Sequence, residues 1–170
     1  MPRLFRRRLW AEFLASSETA KVIAEMKHNT NRPCNDIPQA TILLIDDEAD
    51  VLAGLTTVLS TAGYTCLSAQ TVERAIALSL QTTPDLIISD INLDGQSGLT
   101  LCEQLKQQAA MSEVPVMFLS GAQIPDIIRR AHAAGGTYYL RKPFDPQVML
   151  ELIDKALWMP HLVGTQLARS

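Results

Sequence analysis

The amino-acid sequence predicts an α/β fold, a doubly wound five-stranded parallel sheet with helices on both faces. Short aliphatic runs recur five times along the chain, and a segment with helical periodicity follows each of them. Runs that stay apolar without alternation are typical of parallel strands buried on both faces. Regular alternation of strand and helix indicates right-handed βαβ crossovers, and therefore three layers, α/β/α.

Composition indicates one globular domain with tails, because 47% of the 170 residues are apolar and 19% are charged. Cys34, Cys66 and Cys102 form no CxxC pair, which favours reduced structural thiols over a disulfide framework or a zinc site. Residues 1–38 carry seven Lys/Arg against four acids, whereas the other 132 residues carry eight against 14. A nucleic-acid-binding surface on this acidic body is not expected.

Residues 1–39 are expected to be a basic N-terminal extension and linker, disordered or loosely helical. Arg6-Arg7-Arg8 would suit an arm that meets anionic groups, but a dispensable extension is the preferred interpretation. No secretory signal core follows the arginines, and no apolar run reaches the roughly 20 residues of a membrane span. We therefore expect a cytoplasmic protein with no membrane span.

The body of the chain is predicted to contain five strand–helix pairs. The strands are expected at 41–45, 64–68, 85–90, 116–120 and 137–141. The helices are expected at 51–62, 72–80, 99–105, 125–134 and 148–157. Gly63 is placed as the C-cap of the first helix, and Pro125 suits the first turn of the fourth.

Polar residues follow four of the predicted strands. The first strand ends in Asp46 and Asp47, the third in Asp90, the fourth in Ser120 and the fifth in Lys142. Because the carboxyl ends of parallel strands border the ligand crevice, we expect these side chains to lie together. Three clustered carboxylates need a neutralising cation, and Mg²⁺ binds carboxylate oxygens together with a phosphate. The sequence therefore predicts an Mg²⁺-assisted phosphoryl site with a carboxylate nucleophile.

Each of these residues also has a plain structural interpretation. Asp90 would initiate a turn, Asp47 and Ser120 would cap helices, and Lys142 would be a solvated charge. All of these holding together, each at a strand end, is the less favoured interpretation.

At these positions the sequence resembles the receiver domain of two-component response regulators. The resemblance covers residues 40–158 and leaves residues 159–170 as a short C-terminal tail. Its motifs are Leu44-Ile45-Asp46-Asp47-Glu48, Asp90 with Gly98, Leu119-Ser120, and Tyr139-Leu140-Arg141-Lys142-Pro143-Phe144. It implies the flavodoxin-like (βα)5 fold.

The resemblance implies that Asp90 accepts a phosphoryl group from a histidine kinase or a histidine phosphotransfer protein. The chain would then be a signalling phosphoacceptor and not an enzyme. Mg²⁺ would be held by Asp46, Asp47, Asp90 and the backbone carbonyl of Asn92.

Further roles follow from the same resemblance. Lys142 and Ser120 would contact the phosphoryl group, and the Lys142–Pro143 peptide bond would be cis. Tyr139 would act as the switch, turning inward when Ser120 is drawn toward the phosphate.

The family's output surface comprises the fourth helix, the fifth strand and the fifth helix. Here it would lie around Ile127, Arg130, Tyr138, Tyr139 and the outer side of residues 146–158. Output would be contact with an unknown downstream protein, as in stand-alone chemotaxis or phosphorelay regulators. Direct nucleic-acid binding is not expected, and a phosphorylation-dependent dimer is left open.

The loop after the acceptor departs from the family pattern, with Asp94 where Pro is common and Gln96 where Met is common. The main alternative is a receiver-like interaction module that works without phosphorylation, but such modules typically lose an acidic or Lys position. A haloacid-dehalogenase-type phosphatase would need an Asp two residues after its nucleophile, where Asn92 stands. A Rossmann or P-loop protein would need a Gly-rich turn after the first strand.

Overall fold

The computed structural model describes residues 40–121 and 126–167, together with Lys21, and gives the backbone alone for residues 159–167. The expectations for residues 1–39, Lys21 aside, and for Pro125 lie outside the described residues.

A five-stranded parallel sheet lies at the centre of the fold, in the order β2-β1-β3-β4-β5. Its strands are β1 Thr41–Ile45, β2 Thr65–Ala69, β3 Leu86–Asp90, β4 Val116–Ser120 and β5 Tyr138–Arg141. The α-helices of the described ranges are α1 Ala49–Thr61, α2 Val72–Gln81, α3 Gly98–Lys106, α4 Ile127–Ala133 and α5 Pro146–Leu167. The predicted doubly wound, flavodoxin-like fold is confirmed.

The strand side chains alternate between two apolar layers. Ile42 and Leu44 belong to the layer formed with α1 and α5. Leu43, Ile87 and Phe118 belong to the layer formed with α2, α3 and α4. Since successive strand residues point to opposite faces, burying both faces requires every position to be apolar. This is why the strands read as continuous apolar runs.

Some boundaries differ from the sequence predictions. β2 begins at Thr65 and not at residue 64, because Gly63 has φ 93° and the chain is still turning out of α1. Leu80, assigned to the apolar face of the second helix, is 72% exposed, whereas Leu78 is buried. The buried face of α2 continues from Ala75 at helical spacing, and Leu80 lies off that face.

α5 extends to Leu167, well past the predicted end of the last helix at 157. Even so, within the described part of the chain no helix combines the length and apolarity that crossing a membrane requires.

The loop after β3 contains a hairpin that the sequence did not predict. Asn92–Leu93 and Gln96–Ser97 pair as antiparallel two-residue strands. The turn residues Asp94 and Gly95 have φ of 46° and 84°. Positive φ at both positions is the pattern of a type I′ turn, for which Asp-Gly is a favoured pair. Strands this short give no detectable periodicity, so the Asp-Gly pair was the available signal.

Candidate functional site

The carboxyl edge of the sheet brings the predicted polar residues together. Asp46 follows β1, Asp90 ends β3, Ser120 ends β4 and Lys142 follows β5. Their exposed fractions are 0%, 1%, 2% and 6%, and Asp47 is half-buried. Charged groups this deeply buried require partners. The plain interpretation of Lys142 as a solvated charge is therefore wrong.

Lys142 joins the two buried carboxylates. Its Nζ lies 2.5 Å from Oδ2 of Asp46 and 2.6 Å from Oδ2 of Asp90. Its backbone N–H donates to the carbonyl of Ser120 at 2.8 Å. The Lys142–Pro143 peptide bond is cis, as the resemblance implied. Lys142, which follows β5, therefore contacts the ends of β1 and β3 through its ammonium and the end of β4 through its backbone N–H.

The remaining oxygens of the two carboxylates accept backbone hydrogen bonds. Oδ1 of Asp90 accepts from the Asn92 N–H at 3.0 Å, and Oδ1 of Asp46 accepts from the Glu48 N–H at 3.0 Å. Oδ1 of Asp90 thus forms the turn contact that the plain structural interpretation expected, whereas Oδ2 faces Lys142. The place of the Asn92 carbonyl among metal ligands stays a prediction.

Three successive carboxylates form a compact oxygen cluster after β1. Asp46, Asp47 and Glu48 each offer an oxygen within 4.8 Å of the others. Oδ1 of Asp47 is buried and has no hydrogen-bond partner among the described residues. A buried oxygen without a donor is costly unless a cation or water meets it. An all-oxygen, acidic donor set of this kind fits a hard cation such as Mg²⁺.

Glu48 is the member of this cluster that the predicted metal set lacked. The run of three acids was its signal in the sequence. Asp90, which the predicted set included, joins the cluster through Lys142, since that lysine contacts both Asp46 and Asp90.

Burial and mutual repulsion perturb the charges of the site. Burial raises the pKa of Asp46 to about 6, attraction to Lys142 opposes the rise, and repulsion by Asp90 adds to it. Burial alone would lower the pKa of Lys142, but the attraction of Asp46 and Asp90 outweighs it and the pKa is raised. Lys142 is therefore cationic at neutral pH, and Asp46 gains a proton just below neutrality.

Tyr139 lies on β5 beside the end of β4. It pairs in register with Phe118, while Arg141 pairs with Ser120. Since residues two apart in a strand share a face, Tyr139 is diagonally adjacent to Ser120. Tyr139 is half-buried and packs against the layer below α2, α3 and α4. Its role as a switch stays a prediction.

The outer face of α4 differs from the prediction. Ile127 was expected on the output surface but is 7% exposed, whereas Ile128 is 67% exposed. Ile127, Ala131 and Ala134 recur at helical spacing and are all buried, which directs Ile128 to solvent. The prediction that Ile127 lies on the output surface is therefore wrong, and the neighbouring Ile128 is the exposed residue.

A family model described as the response regulator receiver domain matches residues 42–154. The phosphate regulon transcriptional regulatory protein PhoB of Pseudomonas aeruginosa is 32% identical over 117 residues, which are 69% of this chain and 51% of PhoB. Protein PilH of the same organism is 30% identical over 118 residues, covering 69% of this chain and 98% of PilH. The chain spans about half of the length of PhoB.

Solved structures of response regulators are also similar to this chain. The chemotaxis protein CheY4 of Vibrio cholerae has a TM-score of 0.67 at 27% identity, covering 71% of this chain and 100% of CheY4. A two-component response regulator from Clostridium difficile has a TM-score of 0.65 at 27% identity, covering 70% of this chain and 96% of that structure.

Proposed function

The chain belongs to the response regulator receiver domain family, and from that premise we propose that it is a phosphoacceptor. In this proposal, Asp90 takes a phosphoryl group from a histidine kinase or a histidine phosphotransfer protein. The modified site then switches a protein-binding surface. The observation that carries the proposal is the buried carboxylate of Asp90, 2.6 Å from the ammonium of Lys142 at the edge of the sheet.

Asp90 is the nucleophile in the proposed transfer. One carboxylate oxygen forms a bond to phosphorus while the bond from phosphorus to the donor's imidazole nitrogen breaks. The Asn92 amide orients the carboxylate before the reaction through its bond to Oδ1. Lys142 would then exchange its contact with Asp90 for charge-assisted hydrogen bonds to the phosphoryl oxygens. Ser120 would supply a neutral donor to the same group.

Asp46, Asp47, Asp90 and the Asn92 carbonyl would hold Mg²⁺. The buried oxygen of Asp47, which has no hydrogen-bond partner in the described part of the chain, supports this assignment. When bound, Mg²⁺ reduces the repulsion between the nucleophile and the phosphoryl oxygens. Asp46 must lose its proton to serve as a ligand. Lys142 offsets the buried negative charge of Asp46 and Asp90 in the metal-free protein.

The protein would be a signalling component that catalyses at most its own phosphorylation and dephosphorylation. A cytoplasmic location belongs to the same proposal. Cys66 and Cys102 are free thiols, which suits a reducing compartment.

The proposed output surface comprises α4, β5 and α5. Among the described residues, four large apolar side chains are exposed, and Ile128, Val148 and Trp158 of α4 and α5 are three of them. Arg129 and Arg130 lie beside Ile128 and are also exposed. Exposed apolar groups flanked by arginines suit a protein partner with apolar and acidic side chains. A second copy of the chain is the alternative occupant.

The test is incubation with acetyl phosphate and Mg²⁺, followed by intact-mass measurement. We expect one added phosphate on the wild type and none on Asp90→Asn. Asp85→Asn is the matched control because Asp85 is exposed and precedes the opposite end of β3; this variant should be phosphorylated like the wild type. A wild type that binds Mg²⁺ but gains no phosphate would favour the interaction module that works without phosphorylation.

A further inference from the structure

Buried groups enclose the main-chain carbonyl of Asp90. The hydroxyl of Ser89 donates to this oxygen at 2.9 Å, and Ser89 is 0% exposed. Gly98, the first residue of α3, lies so close that an added Cβ would be 1.9 Å from the same oxygen. One turn further along α3, Cys102 is also buried.

The peptide group after Asp90 is fixed by its neighbours. The Ile91 N–H donates to the Leu119 carbonyl at 3.0 Å, and the Ile91 carbonyl accepts from the Gly98 N–H at 2.8 Å. The Asp90 carbonyl shares one peptide unit with the Ile91 N–H, and the next unit contains the Ile91 carbonyl and the Asn92 N–H. A change in ψ at Asp90 would turn the Asp90 side chain relative to these units and so displace its carboxylate from the Asn92 N–H that donates to it.

We propose that Ser89 is a positioning residue for the phosphoacceptor. Its buried hydroxyl holds the Asp90 main chain in the orientation that points the carboxylate at Lys142 and at the Asn92 amide. Ser89 touches no reacting atom and acts through Asp90. This inference rests on the proposed phosphoacceptor function.

Ser79 provides a matched control for the bond itself. Any buried hydroxyl needs an acceptor, so a serine-to-carbonyl bond can be purely structural. Ser79 on α2 is 5% exposed and donates to the Ile76 carbonyl at 2.8 Å. It therefore has the same residue type, similar burial and the same kind of bond as Ser89, without a contact to Asp90.

The experiment compares Ser89→Ala, Ser89→Thr and Ser79→Ala with the wild type. The readouts are the initial rate of phosphorylation by acetyl phosphate, the Mg²⁺ dissociation constant by calorimetry and the NMR shift of the Asn92 amide. Loss of a group that orients a site residue typically lowers activity or metal affinity about 10- to 100-fold. We expect such a loss for Ser89→Ala, with a shifted Asn92 amide.

The controls separate positioning from stability. Ser79→Ala should stay within about twofold of the wild-type rate while losing a similar amount of stability in urea. Ser89→Thr keeps the hydroxyl and should recover most of the rate. If the added methyl prevents folding, Ser89→Cys replaces it as a weaker donor with an intermediate rate.

Three results would overturn the inference: a wild-type rate for Ser89→Ala, equal losses for Ser89→Ala and Ser79→Ala, or a hydroxyl-retaining variant as slow as Ser89→Ala. Failure of the wild type itself to gain phosphate would be a different result, because it would reject the proposed function and this inference with it.

Discussion

The ammonium of Lys142 lies 2.6 Å from Oδ2 of Asp90, inside a site where both side chains are almost fully buried. The same ammonium lies 2.5 Å from Oδ2 of Asp46. One cation therefore serves two buried carboxylates, which leaves an excess of negative charge within the fold. We expect this imbalance to lower the stability of the metal-free protein and to favour binding of a cation.

Removing the ammonium should destabilise the metal-free protein. Lys142→Met leaves Asp46 and Asp90 without their cation, and breaking a buried ion pair in this way costs about 3 to 5 kcal/mol. We expect a loss of that size in urea unfolding at neutral pH, and a smaller loss in acid as Asp46 gains a proton. Lys155→Met, on the exposed side of α5, should change stability by less than about 0.5 kcal/mol. Equal effects of the two substitutions would argue against a structural role for the shared cation.

The charge of Asp46 should make metal-free stability pH-dependent. Its pKa of about 6 exceeds the ordinary 3.8, so the folded state binds this proton more tightly than the unfolded state. The contribution of Asp46 is therefore complete below about pH 4 and is lost as the pH rises through about 6.

Urea unfolding of the wild type and Asp46→Asn across this range isolates that contribution. The stability of the wild type relative to the variant should fall by about 2 to 3 kcal/mol between acid and neutral pH, since one pKa unit corresponds to about 1.4 kcal/mol. A difference that does not change with pH would contradict the assignment.

The close approach of α3 to β3 should make Gly98 irreplaceable. In Gly98→Ala the new Cβ would lie 1.9 Å from the Asp90 carbonyl oxygen, so α3 or the acceptor strand must move. We expect a loss of about 3 kcal/mol in thermal or urea unfolding. Gly95→Asn is the control, because nothing lies within 4 Å of a Cβ at Gly95 and Asn tolerates its φ of 84°. A Gly98→Ala protein as stable as this control would contradict the packing described.

The sequence was most informative about the edge of the sheet. Continuous apolar strands identified a parallel sheet, and that topology alone requires the residues after β1, β3, β4 and β5 to converge. Asp46, Asp90, Ser120 and Lys142 could therefore be grouped without coordinates. That the Lys142 ammonium contacts both Asp46 and Asp90 could not be predicted from the sequence, because it depends on distances of a few tenths of an ångström.

Local features were predicted less well. The Asp94-Gly95 hairpin has strands too short for a period, and the choice between Ile127 and Ile128 as the outer residue of α4 depends on how the helix is rotated against the sheet. The bond from Ser89 to the next residue's carbonyl has no sequence signature, since a serine in a strand is unremarkable without its buried surroundings.

Tyr139 should connect the phosphorylated site to the output surface. We expect Tyr139→Ala to accept phosphate like the wild type, because the Asn92 N–H and the Lys142 ammonium that bind the Asp90 carboxylate are retained. In the wild type, phosphorylation should change hydrogen exchange in α4, β5 and α5, and in Tyr139→Ala these changes should be much reduced. Unaltered exchange responses in the variant would reject Tyr139 as the switch.

The most direct test of the central claim is to locate the phosphate. An aspartyl phosphate is an acyl phosphate, and borohydride reduces it to homoserine, which tandem mass spectrometry places at a single residue. After treatment with acetyl phosphate and Mg²⁺, we expect homoserine at position 90 and an unmodified Asp94. Two results would contradict Asp90 as the phosphoacceptor. One is homoserine at a different aspartate, and the other is a protein that carries phosphate but yields no homoserine.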